Sequence, residues 1–268
     1  MTPDRAKAAS ELLAFYIEAG VDTPLAETPV DHLADEFAAP SVAPAKAPPS
    51  FARRIEAAPV SPPSPDAAIM AAREVAKSAA TLDELRAILD RFEGCALRAT
   101  ATRLVFAAGN PQSRVMFVGE APGRDEDIEG MPFVGRAGKL LDRMLAAIGL
   151  DRTCVYIANI VPWRPPGNRT PTPQEAQICL PFLHRQIELA DPDILVCLGN
   201  PSAQTLLSLR EGITRTRGRW FNFHTGTREI RAMPTLHPAY LLRQPLQKRL
   251  AWRDFLALKK ALSQTPRT

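Results

Sequence analysis

Several apolar runs in this chain end on polar residues. "RVMFVGEAPG" passes from apolar residues to Glu120. "CVYIANI" carries Asn159 and leads into "VPWRPPGNR". "DILVCLG" is followed by Asn200, and "EIRAMPTL" by His237-Pro238. If the runs are neighbouring strands, a carboxylate, an amide and an imidazole meet at one place. Each residue also has a plainer use: Glu120 as a capping or surface acid, Asn159 as a turn amide, His237 as a core imidazole. Local sequence narrows the choice. Gly119, Pro122 and Gly123 hold Glu120 on a tight turn, and Pro238 confines the backbone of His237 to extended geometry. The stretch "RPPGNR" carries Arg164 and Arg169 among prolines. Prolines remove chain freedom in advance, which a merely solvated pair of arginines does not need. A stiff loop with arginines and spare backbone amides suits phosphate oxygens.

The elements that must position these residues follow from periodicity. Residues 114–118, 154–160, 193–199 and 229–236 are mainly apolar, with charges only at Arg114, Asp193, Glu229 and Arg231, the pattern of strands buried on both faces of a parallel sheet. Helical spacing covers 135–150, 172–190, 201–209 and 248–262. Thr172, Pro173 and Glu175 form a start signal for the second of these, and Gly149 closes the first. Two more helices are expected between Asp66 and Phe92, the second capped by Thr81. Alternating strands and helices predict an α/β sandwich on a mainly parallel four-stranded sheet. Ligands of such sheets bind beyond the carboxyl ends of the strands, where Glu120, Asn159 and His237 all fall.

Composition bounds the rest. The chain has 268 residues, 46% of them hydrophobic, and a net charge of +4, a mild lean toward anionic partners. Its 26 prolines are unevenly placed. Residues 36–65 are rich in Pro and Ala and read as an extended, disordered linker. This divides the chain into a short helical element over 1–35, ending a helix near Gly20, the linker over 36–65, and one domain over 66–268. Four cysteines occur without a C-x-x-C pair, so no zinc ribbon or thioredoxin motif is present. Cys154 and Cys197 are expected as buried thiols. No run of about 18 apolar residues suggests a membrane span, and no signal peptide is read at the N-terminus, so a cytoplasmic chain with reduced thiols is expected. Neither G-x-x-x-x-G-K-[ST] nor G-x-G-x-x-G occurs, which argues against a nucleotide-dependent hydrolase.

Three segments carry a resemblance. "GEAPGRDEDIEGMPFVGRAGKLLDRML", "NIVPWRPPGNRTPTPQEAQIC" and "HPAYLLR" resemble, in order and separation, the family 4 (type-4) uracil-DNA glycosylases, over about Cys95 to Leu262. The resemblance implies a three-layer α/β/α fold and a base excision repair hydrolase that flips uracil out of DNA and leaves an abasic site. It implies that Glu120 helps the attacking water, Asn159 reads the uracil edge and His237 faces the departing base. Phe133 then lies under the base, Glu126 crowds the 5-position of the ring, and Ala121 supplies a backbone amide. Arg164 and Arg169 would grip phosphates, Leu241 or Leu242 would fill the gap in the duplex, and Arg243 would meet phosphate. The implied partner is uracil-containing DNA, double- or single-stranded, bound by a cytoplasmic, nucleoid-associated monomer with no membrane. A related subclass traps its product through a histidine-bearing loop, and "RPPGNR" stands in its place here. A catalytically weak DNA-binding module is the rival reading, and it predicts loss of pocket residues that are present.

One departure bears on cofactors. The family holds a [4Fe-4S] cluster on four cysteines, of which Cys95 and Cys179 match. Phe92 and Trp163 stand where the other two would be. Two thiolates do not complete such a site, so no cluster and no metal are expected, and the two aromatics are read as apolar fillers.

Overall fold

The computed structural model describes residues 65–264. The expected N-terminal helix and nearly all of the linker lie outside the described residues. Helix α1 spans Pro65–Ser78, and α2 spans Leu82–Arg91 with Thr81 as its cap. Thr81 Oγ1 accepts from Glu84 N at 3.2 Å, and Glu84 Oε2 accepts from Ala80 N at 2.7 Å. A short α3, Leu97–Thr100, follows.

Six strands form one sheet. They are β1 (Ala108–Gly109), β2 (Val115–Gly119), β3 (Tyr156–Asn159), β4 (Ile194–Leu198), β5 (Phe221–His224) and β6 (Glu229–Thr235), in the order β1-β3-β2-β4-β6-β5. The four expected strands are β2, β3, β4 and β6, and they are parallel. The sheet is nevertheless mixed and six-stranded, because β1 and β5 add antiparallel edges. Both escaped the sequence reading for a physical reason. Two residues of β1 show no period, and Phe221–His224 is a largely exposed edge.

Helices cover both faces. Between the strands lie α4 (Arg124–Glu129), α5 (Arg136–Ala147), α6 (Pro173–Ala190), α7 (Asn200–Leu207) and α8 (Ile213–Thr216). After β6 come α9 (Pro238–Arg243) and α10 (Lys248–Gln264). Thr172 and Glu175 cap α6 reciprocally, with Thr172 N donating to Glu175 Oε2 at 2.7 Å and Glu175 N donating to Thr172 Oγ1 at 3.2 Å. One sheet face presents Met116, Val118, Tyr156, Ala158, Leu195 and Cys197 to α1, α2 and α6. The other presents Val115, Phe117, Ile157, Val196 and Met233 to Leu141 and Leu145 of α5 and Phe255 and Leu258 of α10. Alternate residues of each strand thus enter different cores, which is why the runs are mainly apolar. Each fully buried side chain of this size contributes roughly 1.5–3 kcal/mol. Among the described residues no helix is long and apolar enough to cross a membrane.

One buried charge joins three elements. Asp254 of α10 is 1% exposed. It accepts from Thr235 Oγ1 of β6 at 2.7 Å and from Arg217, which follows α8, through Nε at 3.0 Å and through Nη2. Removing one partner of a buried pair strands the other. Asp254→Ala should therefore lower stability by roughly 3–5 kcal/mol, read from the urea midpoint at unchanged slope. A loss under about 1 kcal/mol, the scale of an exposed pair, would show that the site is wet.

Candidate active site

A cavity of about 620 Å³ opens at the carboxyl ends of the parallel strands. Its walls include Glu120, Ala121, Glu126, Phe133, Asn159, Arg169, His237 and Arg243, so eight expected site residues come together. Their approach depends on a glycine. Gly119 is paired in register with Asn159. A Cβ on Gly119 would collide with Asn159 Oδ1 and come within 2.7 Å of the Phe133 ring. Gly199, at φ +93°, leaves similar room beside His237, whose Cβ would lie 3.0 Å from an added carbon.

Asn159 is the last residue of β3 and is 5% exposed. Its Oδ1 has no hydrogen-bond partner, nor has Glu120 Oε1, and both atoms are buried. Leaving such groups unpaired costs about 1–3 kcal/mol each, so both are poised for a ligand. Burial pushes the Glu120 carboxyl above the usual range, and a hydrogen bond from Thr170 opposes this. Thr170 is a site residue that sequence reading passed over, because its partner is 50 positions away in the chain.

His237 caps α9 through its ring. Nδ1 accepts from Ala239 N at 3.1 Å. Burial, helped by the charge of Arg243, pushes its pKa down to about 4. The imidazole is therefore neutral at pH 7, and with Nδ1 occupied as an acceptor its single proton sits on Nε2. The Phe133 ring lies 5.6 Å from the His237 ring, tilted by 32°.

Two expectations need correction, at Leu241 and Cys154, and three site side chains have partners that the sequence did not show. Glu126 lines the cavity, but its carboxylate is engaged. Oε2 accepts from Gly123 N and Oε1 from Gly135 N, each at 3.0 Å. Those are the N-caps of α4 and α5, so Glu126 splints two helix starts. Arg164 and Arg169 are not free cations. Arg164 Nε donates to Asn168 Oδ1 at 2.7 Å. Arg169 makes a forked pair with Glu175 at 2.6 and 2.8 Å, so both brace their own loop. Leu241 is fully buried against Leu236 and Ala251, because "HPAYLLR" folds as a helix on a His237 cap. That leaves half-buried Leu242, and Leu246, which is 84% exposed on the turn after Pro245. Cys154 is exposed, since β3 begins two residues later, whereas Cys197 is buried as expected. Arg243 is exposed at the cavity wall.

The residues at the family's cluster position do not fit a cluster. Cys95 and Cys179 are buried, with their sulfurs 4.0 Å apart and hydrogen-bonded to each other. Trp163 is 2% exposed and shares one apolar core with them, and Phe92 packs against it. The Phe92 ring lies edge-on to Phe182 at 4.9 Å and folds back over Gly94, where an added Cβ would collide with it. Among the described residues no group of three His, Cys, Asp or Glu side chains is placed to hold a metal. Trp163 and Phe92 instead bring aromatic carbon to the core that holds the two thiols.

Comparisons agree with this geometry. Residues 106–256 match the uracil DNA glycosylase superfamily. A type-4 uracil-DNA glycosylase of Archaeoglobus fulgidus is 42% identical over 169 residues, covering 62% of this chain and 85% of the relative. Another, of Saccharolobus solfataricus, is 40% identical over 195 residues, covering 70% and 90%. A third, of Thermotoga maritima, is 45% identical over 150 residues, covering 56% and 77%. The chain belongs to the type-4 uracil-DNA glycosylases.

Proposed function

We infer that the chain hydrolyses the N-glycosidic bond of uracil in DNA at this cavity, and that its own residues divide the work as follows. The reading is carried by one observation: two unpartnered buried oxygens, on Asn159 and Glu120, share a cavity with a neutral imidazole. A uracil inside a duplex is out of reach and must be flipped out of the stack. Asn159 Oδ1 accepts from N3–H while its amide donates to O4. Cytosine reverses that pattern and would leave buried groups unpaired. Phe133 provides the face on which the base lies. As the bond breaks, negative charge gathers on the base and positive charge on the sugar. His237 Nε2–H donates toward O2 of the departing base, where a preset donor favours the charged state. Glu120, on the sugar side, orients water and offsets the oxocarbenium charge.

DNA is held outside the cavity. Arg243 meets phosphate, and Leu242 and Leu246 are the apolar side chains left to fill the vacated stack. We read the chain as acting as a monomer. A cytoplasmic, nucleoid-associated place of work goes with this substrate.

The direct test uses uracil oligonucleotides opposite G, opposite A and single-stranded, cleaved by alkali after incubation. Release is expected from all three. His237→Ala should lower kcat by about 10²–10³, as for loss of one preset donor, with the KM little changed. Tight DNA binding without release by the unaltered chain would favour a binding module.

The acid limb of kcat/KM belongs to Glu120. Its folded carboxyl titrates above the usual glutamate range, so activity should fall as pH drops through that raised value. His237 stays neutral down to about pH 4 and adds nothing above it. Glu120→Gln should flatten the limb at low residual activity. A limb of unchanged shape in that variant would assign it to another group.

We further propose that the cluster has been replaced by apolar packing. Purified anaerobically, the protein should contain no iron or acid-labile sulfide. Trp163→Ala should cost about 3–5 kcal/mol, as for a large aromatic cut from a core, and activity should be lost together with folding. About four irons per chain, the content of the family's cluster type, would overturn this.

A further inference from the structure

Phe133 sits in a backbone region that bulky residues avoid. Its φ is +57°, in the left-handed well. The fold holds it there from both ends. At the ring end, Gly119 leaves the space that the Phe133 ring fills, and His237 lies 5.6 Å away. At the carbonyl end stands Arg152, in the short turn Arg152–Cys154 ahead of β3. Its Nη1 donates to the Pro132 carbonyl at 3.2 Å, and its Nη2 to the Phe133 carbonyl. Its Nε donates to Asp142 Oδ1 of α5 at 2.8 Å. The Phe133 carbonyl also lies on Gly138, where a Cβ would overlap it. One planar guanidinium therefore joins α5, the turn before β3 and the two carbonyls of Pro132 and Phe133.

We propose that Arg152 is a positioning residue for base excision. It fixes the plane of the Phe133 ring on which the flipped uracil lies, and Asp142 aims it. The proposal rests on Phe133 being that face. Arg152 itself is not on the cavity wall. Its charge alone does not explain the arrangement. The Arg152 and Asp142 side chains are 29% and 44% exposed, and exposed ion pairs contribute little. The geometry is what an ammonium does not supply: three bonds in one plane to a carboxylate and two adjacent carbonyls. Arg152 and Phe133 are 19 positions apart in sequence, with a helix between them, so no local pattern links them.

The test uses the full chain with Arg152→Gln, Arg152→Lys, Asp142→Asn and Phe133→Ala. Inhibition by free uracil reports the base site without DNA, alongside KM and kcat on a uracil oligonucleotide. Free uracil should inhibit Arg152→Gln about tenfold more weakly, within the range of losing one base–aromatic stack, and KM should rise with it. Arg152→Lys should not restore inhibition, and Asp142→Asn should show a smaller loss of the same kind. Should Arg152→Gln fail to fold, Asp142→Asn reads the same clamp from its exposed end. Wild-type uracil inhibition in the folded Arg152 or Asp142 variants, with inhibition lost in Phe133→Ala, overturns the proposal. Wild-type inhibition in Phe133→Ala would instead remove Phe133 as the stacking face.

Discussion

The site depends on the parallel register between β2 and β3. That register sets Gly119 opposite Asn159, and the ladder continues past the strand ends. Ile160 N donates to the Gly119 carbonyl at 3.0 Å, and Val161 N to the Glu120 carbonyl at 3.1 Å. Glu120 is thereby tied beside Asn159 by backbone alone. On the other side, Gly199 N donates to the Thr235 carbonyl at 2.8 Å and brings the end of β4 against His237. A slip of one residue would turn every side chain to the opposite face. The two apolar cores forbid that slip, since Met116 and Phe117 belong to different layers. Catalytic placement is in this sense a by-product of core packing.

The same rigidity lets the site carry costs. Unpartnered oxygens on Asn159 and Glu120 and a left-handed Phe133 all oppose folding. Each is worth about 1–3 kcal/mol, against a core whose strands are buried on both faces. The RPPGNR loop shows a related economy. Its two arginines, read from sequence as hands for phosphate, also bond along the surface to Asn168 and Glu175. The loop is stiff because its cations are paired as well as because its prolines are rigid.

What was legible in the sequence was whatever depends on residue type and short spacing. The four parallel strands, the caps at Thr81 and Thr172, and the convergence of Glu120, Asn159 and His237 all follow from runs and their ends. What was illegible depends on partners. Leu241 and Leu242 look alike in "AYLLR", and only the helical phase on the His237 cap sends one of them inward. Cys154 looked interior because it adjoins Val155, yet a turn begun at Asp151 leaves it outside. Arg152 carries no signal of its own, since two of its three contacts are backbone carbonyls that any residue would offer. The edge strands were too short or too exposed to show a period.

Glu126 has a consequence for how this enzyme can vary. Its two oxygens each cap a different helix, at Gly123 and Gly135, while its side chain also forms part of the cavity wall. A change that widened the pocket there would loosen both walls that frame it. Aspartate, one methylene shorter, keeps the charge but cannot span the same two amides. Widening the cavity at this position therefore carries a cost at two helix starts, which a wall residue that caps nothing would not impose.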